Sequence, residues 1–297
     1  MKLNTALVKG ELLAASGLAL HVEPAASALQ AALHARQNQG YVTEDATVIA
    51  IMDLDQGRFP VLHDLNATAA RNQAPFAPMR DPEPGIYPIV DNNAQLALLM
   101  KAGARIIQLR IKSETLTPEI ETQVREAIHI AQDFPNSQLF INDYWQTAIE
   151  FGAYGVHLGQ EDILCADLNA IQKAGLRLGL SSHCYWEVAR AVTIAPSYVA
   201  CGPLFPTRAK KMPWISQGVE NLRYWVHAIA HPVVGIGGVN AENLNAIRAT
   251  GCASASIIQA IVADADPAGA FKRLAKQWDA AGVVRLEGIP ALARPTL

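Results

Sequence analysis

Residues 140–162 open with Phe140-Ile-Asn-Asp143 and close with Tyr154-Gly-Val-His-Leu-Gly-Gln-Glu-Asp162. The stretch reads strand, loop, helix, strand, loop. Two short apolar runs, 139–141 and 155–158, each stop abruptly in polar residues. Short apolar runs joined through a helix are the pattern of buried parallel strands, and strands joined this way usually lie side by side. A carboxylate follows each run, first Asp143 and then Asp162, so the two acids are expected together on one rim. Two hard oxygen ligands that leave room for water and phosphate oxygens suit Mg²⁺. An aspartate after a strand also serves as a helix N-cap. Its recurrence on successive strand ends favours the metal reading.

The alternation continues from residue 85 onward. Strand candidates are 86–90, 105–109, 138–141, 154–158, 176–180, 198–201, 232–236 and 253–257. Helical stretches fall between and after them, at 94–102, 118–134, 145–151, 166–174, 186–194, 219–230, 241–250 and 267–280. Strict alternation argues for a parallel sheet. Eight repeats predict an α/β protein of the closed (β/α)₈ TIM-barrel type, here with a small N-terminal α/β extension. The competing fold, a doubly wound open sheet, usually carries a glycine-rich turn after its first strand, and Asp91-Asn-Asn93 is not one.

Residues 1–84 follow a different pattern. Residues 24–34 have helical spacing, and 47–54 form an apolar, strand-like run. Asp55-Gln-Gly57 reads as a turn, with 59–62 as a hairpin partner. Residues 72–84 are rich in proline and polar side chains and read as a linker. No catalytic motif falls in this part, which is expected to be an appendage that packs or mediates contacts. The division predicted is 1–84 extension and linker, 85–285 barrel, and 286–297 tail. All eight βα units lie beyond residue 84, so a chain starting near Asp81 is expected to fold and keep its chemistry.

Composition narrows the function classes. Of 297 residues, 51% are hydrophobic and 17% charged, ordinary for a soluble globular protein. The formal net charge of −3 gives no basic footprint for nucleic acid. No apolar run reaches membrane-spanning length. The start of the chain is broken by Lys9, Gly10 and Glu11 and is not expected to be a signal peptide. Cys165, Cys184, Cys201 and Cys252 lack metal-ligand spacing and read as reduced thiols of a cytosolic protein. Small molecules are the expected partners, and the sequence is compatible with a homo-oligomer.

The strand ends carry the chemistry. In Gln108-Leu-Arg-Ile-Lys112, alternation places Gln108, Arg110 and Lys112 on one face. Charges aimed into a barrel mouth need a partner, and an anion is the natural one. After the sixth strand, Gly202-Pro-Leu-Phe-Pro-Thr-Arg-Ala-Lys-Lys211 makes an irregular loop carrying Thr207, Arg208 and Lys210. Such a loop can act as a lid. After the seventh strand, Gly235-Ile-Gly-Gly-Val239 lets a phosphate approach backbone N–H groups. Loops after the seventh and eighth strands commonly form a phosphate cup in such barrels, which brings in Ile258 and Gln259. Ser181 is a hydrogen-bonding candidate, His183 a titratable one, and His157 is expected to be structural. Two anion sites follow. Asp143, Asp162 and a metal, with Arg110, Lys112 and Lys210, suit a Mg²⁺-bound diphosphate, and the glycine cup suits a monophosphate. Together they suggest group transfer with loss of pyrophosphate.

With these residues in place, the chain resembles the thiamine-phosphate synthase family. The resemblance rests on QLRIK (108–112), FIND (140–143), GVHLGQED (155–162), GLSSHC (179–184), GPLFPTRAK (202–210) and VVGIGGV (233–239), in that order. It implies a barrel that joins 4-amino-2-methyl-5-(diphosphooxymethyl)pyrimidine to thiazole phosphate, giving thiamine phosphate and pyrophosphate. It also implies a dissociative reaction, in which pyrophosphate leaves before the thiazole nitrogen attacks. By the same resemblance Gln108, Arg110, Lys112 and Asn142 hold the pyrimidine and its diphosphate, Ser181 faces the pyrimidine and Lys210 the diphosphate. Asp143 and Asp162 bind Mg²⁺. Thr207, Gly237, Ile258 and Gln259 hold thiazole phosphate. Four positions depart from the family's pattern: Ala209 and Cys184 stand where threonine is frequent, Gln259 where serine is usual, and Ile111 where glutamate is frequent. Two rival activities share parts of the pattern. One is a thiazole tautomerase with His183 as acid/base, and the other a non-catalytic thiamine-phosphate binding protein.

Overall fold

The computed structural model describes residues 6–8, 11–13, 18–21, 26–54, 59–60, 62–64, 74–113, 115–207 and 215–284. Eight short strands form its centre: β5 (Gly85–Val90), β6 (Ile106–Leu109), β7 (Gln138–Asn142), β8 (Gly155–Leu158), β9 (Arg177–Ser182), β10 (Tyr198–Cys201), β11 (Val233–Ile236) and β12 (Ser254–Ile257). Each pairs in parallel with the next, and β12 pairs back onto β5 to close the barrel. The crossover helices are α3 (Asn93–Lys101), α4 (Pro118–Gln132), α5 (Trp145–Glu150), α6 (Leu168–Lys173), α7 (Tyr185–Ile194), α8 (Gly218–Ala228) and α9 (Leu244–Arg248). After β12 come α10 (Gln259–Val262) and α11 (Pro267–Ala280). The strands are buried on both faces, which is why they read as continuous apolar runs. The barrel expectation is met.

The interior is filled at its lower end. Met79, Tyr87, Ile106, Phe140, Tyr198, Ala200 and Val234 form a separate cluster there. Two ring–glycine pairs make the rings fit. Phe140 lies opposite Gly155 and Tyr198 opposite Gly179 in the strand register. A Cβ on Gly155 would come within 2.6 Å of the Phe140 ring, and one on Gly179 would overlap the Tyr198 ring. Phe140 and Tyr198 then meet edge to face, with centroids 5.1 Å apart.

The N-terminal part differs from expectation. Strands β1 (Ala6–Val8), β2 (Glu11–Leu13), β3 (Leu18–His21) and β4 (Leu62–Asp64) form an antiparallel sheet. Between β3 and β4 lie α1 (Ala26–Asn38), which the spacing anticipates, and α2 (Thr43–Leu54), which it does not. The run 47–54 is helical, not a strand; of its expected partner 59–62, Leu62 belongs to β4, which pairs with β3, and the expected turn 55–57 lies outside the described residues. The physical reason is that Asp45 to Met52 are all buried. A helix buried on every side shows no periodicity to tell it from a buried strand. Glu44 and Asp45 in its first turn favour the helix through its dipole.

The extension is also not a tethered appendage. Leu29, Tyr41 and the buried face of α2 belong to the same hydrophobic core as the barrel's outer layer. Tyr41 meets Tyr185 of α7 edge to face at 6.1 Å. The supposed linker is a strap under the barrel floor. Phe76 N–H donates to Ala195 O (2.9 Å), Ser197 Oγ to Ala77 O (2.6 Å), and Arg80 N–H to the Tyr154 hydroxyl (2.7 Å). Asp81 exchanges two 3.1 Å hydrogen bonds with the Gln138 amide and pairs with Arg105 at 2.9 Å. Met79 plugs the floor from below. A chain cut near Asp81 loses the contacts of Phe76, Ala77, Met79 and Arg80 and uncovers α7, which weighs against the expected independence of the barrel. The expected tail, 286–297, lies outside the described residues. Among the described residues no helix is long and apolar enough to cross a membrane.

Candidate active site

A cavity of about 880 Å³ opens at the C-terminal ends of the strands. The expected residues Gln108, Arg110, Asn142, Asp143, Asp162, Ser181, Thr207, Gly237, Ile258 and Gln259 all line it. Lys112 does not: β6 ends at Leu109, and Lys112 is exposed beyond the mouth. Lys210, with Arg208 and Ala209, lies outside the described residues.

A hydrogen-bonded chain through the barrel interior supports two of these side chains. The Gln108 amide donates to the Tyr87 hydroxyl (3.2 Å), which shares a hydrogen bond with the Tyr198 hydroxyl (2.9 Å). Tyr198 in turn bonds His157 Nδ1 (2.7 Å), and His157 Nε2 bonds Ser181 Oγ (2.8 Å). Burial, with the charges of Arg110 and His183 nearby, holds the His157 imidazole down at about 3. His157 is therefore a neutral, doubly bonded structural residue, as the sequence suggests. Burial likewise pushes both tyrosine phenols up.

The carboxylates converge. Asp143 follows β7 in a left-handed conformation (φ 64°), one that aspartate tolerates better than most residues. The cap of α5 is Tyr144, with no side-chain cap bond, so Asp143 is not spent as a helix cap. Its carboxyl lies close enough to that of Asp162 for the two charges to act on each other. The residue as a whole is open to the cavity, yet its carboxyl is pushed up to about 6. Burial of that group is the largest cause and the Asp162 charge the next, with Arg110 pulling the other way. Asp162 opens a short 3₁₀ turn and accepts the Gly159 N–H at 2.9 Å, so it does the local work of a cap as well. Among the described residues no third His, Cys, Asp or Glu joins the pair. Two carboxylates beside a space for phosphate oxygens fit Mg²⁺, which keeps several waters and takes few protein ligands.

Across the mouth, Gly237 and Gly238 adopt φ values of 96° and 67°. Their loop is stitched to the one after β10: Leu204 N–H donates to Ile236 O (2.8 Å) and Phe205 N–H to Gly237 O (3.0 Å). A Cβ at Gly237 would sit 2.7 Å from Pro203 Cα. A side chain there would strike the neighbouring loop instead of the open cavity. Nearby, Ser256 Oγ is buried with no protein partner.

Several lining residues escaped the sequence reading. Ile89 and Ser256 sit on inward positions that strand alternation could have flagged. Gln160 lies inside a quoted motif without an assigned role. It donates to Ser181 O at 2.7 Å, and its own Oε1 has no protein partner. Val42, Glu44 and Asp45 from the extension line the same cavity, with Trp186, Glu187 and Arg190 of α7. No local pattern announces that contact.

Comparison with known proteins follows this geometry. A family model described as thiamine monophosphate synthase matches residues 86–261, from β5 into α10. The chain belongs to the thiamine monophosphate synthase family. Among its relatives, the thiamine-phosphate synthase of Photorhabdus laumondii is 48% identical over 189 residues, 63% of this chain and 86% of the relative. That of Salmonella enteritidis is 46% identical over 200 residues, covering 67% and 92%. A solved thiamine phosphate pyrophosphorylase from Pyrococcus furiosus aligns with a TM-score of 0.59 and 26% identity, over 67% of this chain and 97% of its own. Mycobacterium tuberculosis tryptophan synthase, at 15% identity and TM-score 0.51, shares the fold alone. The family match leaves the first 85 residues outside it.

Proposed function

We propose that this chain is a thiamine-phosphate synthase that joins a pyrimidine methyl diphosphate to thiazole phosphate, releasing pyrophosphate. The observation that carries the reading is one cavity with two unlike ends. Arg110, Asn142, Asp143 and Asp162 gather on one side, and Gly237, Ile258, Gln259 and Thr207 on the other. The relatives' names point to the same reaction.

In the reaction, the bond between the pyrimidine's methylene carbon and the diphosphate oxygen breaks, and pyrophosphate departs with the electron pair. The resulting carbocation is stabilised by the pyrimidine ring, and the thiazole nitrogen lone pair forms the new C–N bond. Gln108 and Ser181, braced by the buried tyrosine–histidine chain, orient the pyrimidine. Asn142 and Arg110 hold the diphosphate, and the Arg110 guanidinium faces the charge that builds up on departure. Lys112 and Lys210 are assigned to the same diphosphate. Asp143 and Asp162 would hold Mg²⁺, which when bound neutralises the leaving group's charge. Gly237 and the backbone at Ile258 and Gln259, with Thr207, hold thiazole phosphate so that its nitrogen meets the carbocation.

A proton shift within thiazole phosphate needs none of the Arg110–Asp143–Asp162 charge, which sets the tautomerase reading second. Pyrophosphate release in the presence of both substrates tests the proposal. Arg110→Ala should weaken binding of a nonreactive pyrimidine diphosphate analogue at least tenfold and leave thiazole phosphate affinity within a few-fold. Absence of pyrophosphate release by the unaltered chain would overturn the reading.

A further inference from the structure

The first turn of α7 carries an incomplete cap. Residues 184–187, Cys-Tyr-Trp-Glu, have the frame of a capping box, in which serine or threonine stands first and glutamate fourth. The glutamate half is displaced by one residue, onto the N–H that precedes the N-cap. Glu187 Oε2 accepts the His183 backbone N–H at 2.7 Å and holds His183 Nδ1 at 2.8 Å. The other half is weak, because the N-cap is Cys184, in extended geometry suited to capping but with no side-chain cap bond of normal geometry, only a thiol against the Glu187 backbone. A thiol is a weak acceptor. The orphaned donor is answered from 141 residues away: Trp186 N–H donates to Asp45 Oδ1 at 3.0 Å. Both groups are buried, Asp45 completely so. Burial and the neighbouring Asp45 also push the Cys184 thiol well up, so it stays protonated beside the acceptor it cannot replace.

The contact reaches the site in two steps. Glu187 fixes His183, and Glu187 O accepts from the Gln160 amide (3.4 Å), which also donates to Ser181 O (2.7 Å). Asp45, Gln160, Ser181, His183 and Glu187 all line the cavity. We propose that Asp45 is a positioning residue for the synthase reaction: by supplying the cap that Cys184 lacks, the N-terminal helix pair fixes the pyrimidine-side wall of the cavity. The extension is then part of the catalytic unit rather than an accessory to it. This rests on the synthase reading only for its kinetic arm.

The test uses the full chain with Asp45→Ala, Asp45→Asn and the double variant Asp45→Ala/Cys184→Thr. Amide hydrogen exchange over 184–190 reads the cap directly and does not depend on activity. Asp45→Ala should speed exchange there by about five-fold or more, the factor expected for one lost buried cap. Its KM for the pyrimidine diphosphate should rise by a similar factor, with the KM for thiazole phosphate within two-fold. Asparagine keeps an acceptor, and Asp45→Asn should stay near the unaltered chain. Threonine at 184 supplies an N-cap oxygen that can accept the Trp186 N–H from inside the barrel, so the double variant should recover both readouts. If Asp45→Ala alone fails to fold, a soluble double variant with near-normal exchange supports the cap equally well. Unchanged exchange in Asp45→Ala, equal rises in both KM values, or a double variant no better than the single one would overturn the proposal. An unaltered chain without synthase activity would remove only the kinetic arm.

Discussion

Replacing Asp143 with asparagine should make the metal-free protein slightly more stable while nearly abolishing its activity. The substitution removes one charge and little else. Asparagine tolerates the left-handed backbone at φ 64° as well as aspartate does, whereas alanine would add strain. The backbone bonds from Asp143 N–H to His157 O (3.1 Å) and from Trp145 N–H to Asp143 O (2.7 Å) are untouched. What disappears is a carboxyl raised from an ordinary 3.8 to about 6, by burial first and by Asp162 second. An acid bound more tightly to its proton in the folded state favours folding at low pH. That advantage is lost as pH rises from about 4 through about 6, so at pH 8 the folded chain carries the full penalty. In full, a rise of that size would correspond to roughly 3 kcal/mol. Because Asp143 is exposed, screening by solvent reduces this to about 1 kcal/mol or less. Asp143→Asn should therefore raise Tm by about 1–3 °C at pH 8 in EDTA and by nothing at pH 4. With Mg²⁺ and a diphosphate analogue the order should reverse, since the unaltered pair gains a cation. Turnover should fall at least ~100-fold. Thermal unfolding across that pH range, with and without Mg²⁺, measures all of it. A variant less stable than the parent at pH 8 in EDTA, or one stabilised equally by Mg²⁺, would refute the reasoning.

His157 predicts the opposite pH slope. Its imidazole is held at about 3 in the fold but titrates near 6.5 when unfolded, so stability is present above pH 6.5 and drains away as pH falls toward 3. Urea midpoints should show this group costing on the order of 3 kcal/mol between pH 6.5 and 4.5. His157→Gln should flatten that limb whatever it does to the absolute stability. Gly237→Ala should disturb two loops at once, because its Cβ meets Pro203 rather than solvent. Thiazole phosphate affinity measured by calorimetry should fall more than ten-fold, along with a loss of Tm; unchanged affinity would mean that the 203–205 loop yields freely.

Most of the barrel and most of the site were legible because both are local. A strand of four or five apolar residues ending in a polar one announces its own rim, so Gln108, Asp143, Ser181 and Gly237 could be placed from their immediate neighbours. The departures from expectation have separate causes. Helix α2 is buried on all sides, by α1 next to it in sequence and by α7 far along the chain, so its residues carry no amphipathic stripe. The strap 74–84 is rich in proline because it runs extended beneath the strands, and the same composition describes a free linker. Lys112 followed correct alternation, but the strand ends at Leu109, and alternation has no meaning beyond a strand's end.

The Asp45–Trp186 contact also sets an order of events during biosynthesis. Helix α2 leaves the ribosome early, yet its docking surface on α7 is encoded 141 residues later. At translation rates of about 5–20 residues per second, that gap lasts roughly 7 to 28 s. For that time α2, whose residues Asp45–Met52 are all buried in the finished protein, has only its neighbour α1 to lie against, and the side that docks on α7 stays uncovered. The nascent chain passes through a sticky interval that a barrel without the extension would skip, and holding chaperones have their clearest target there.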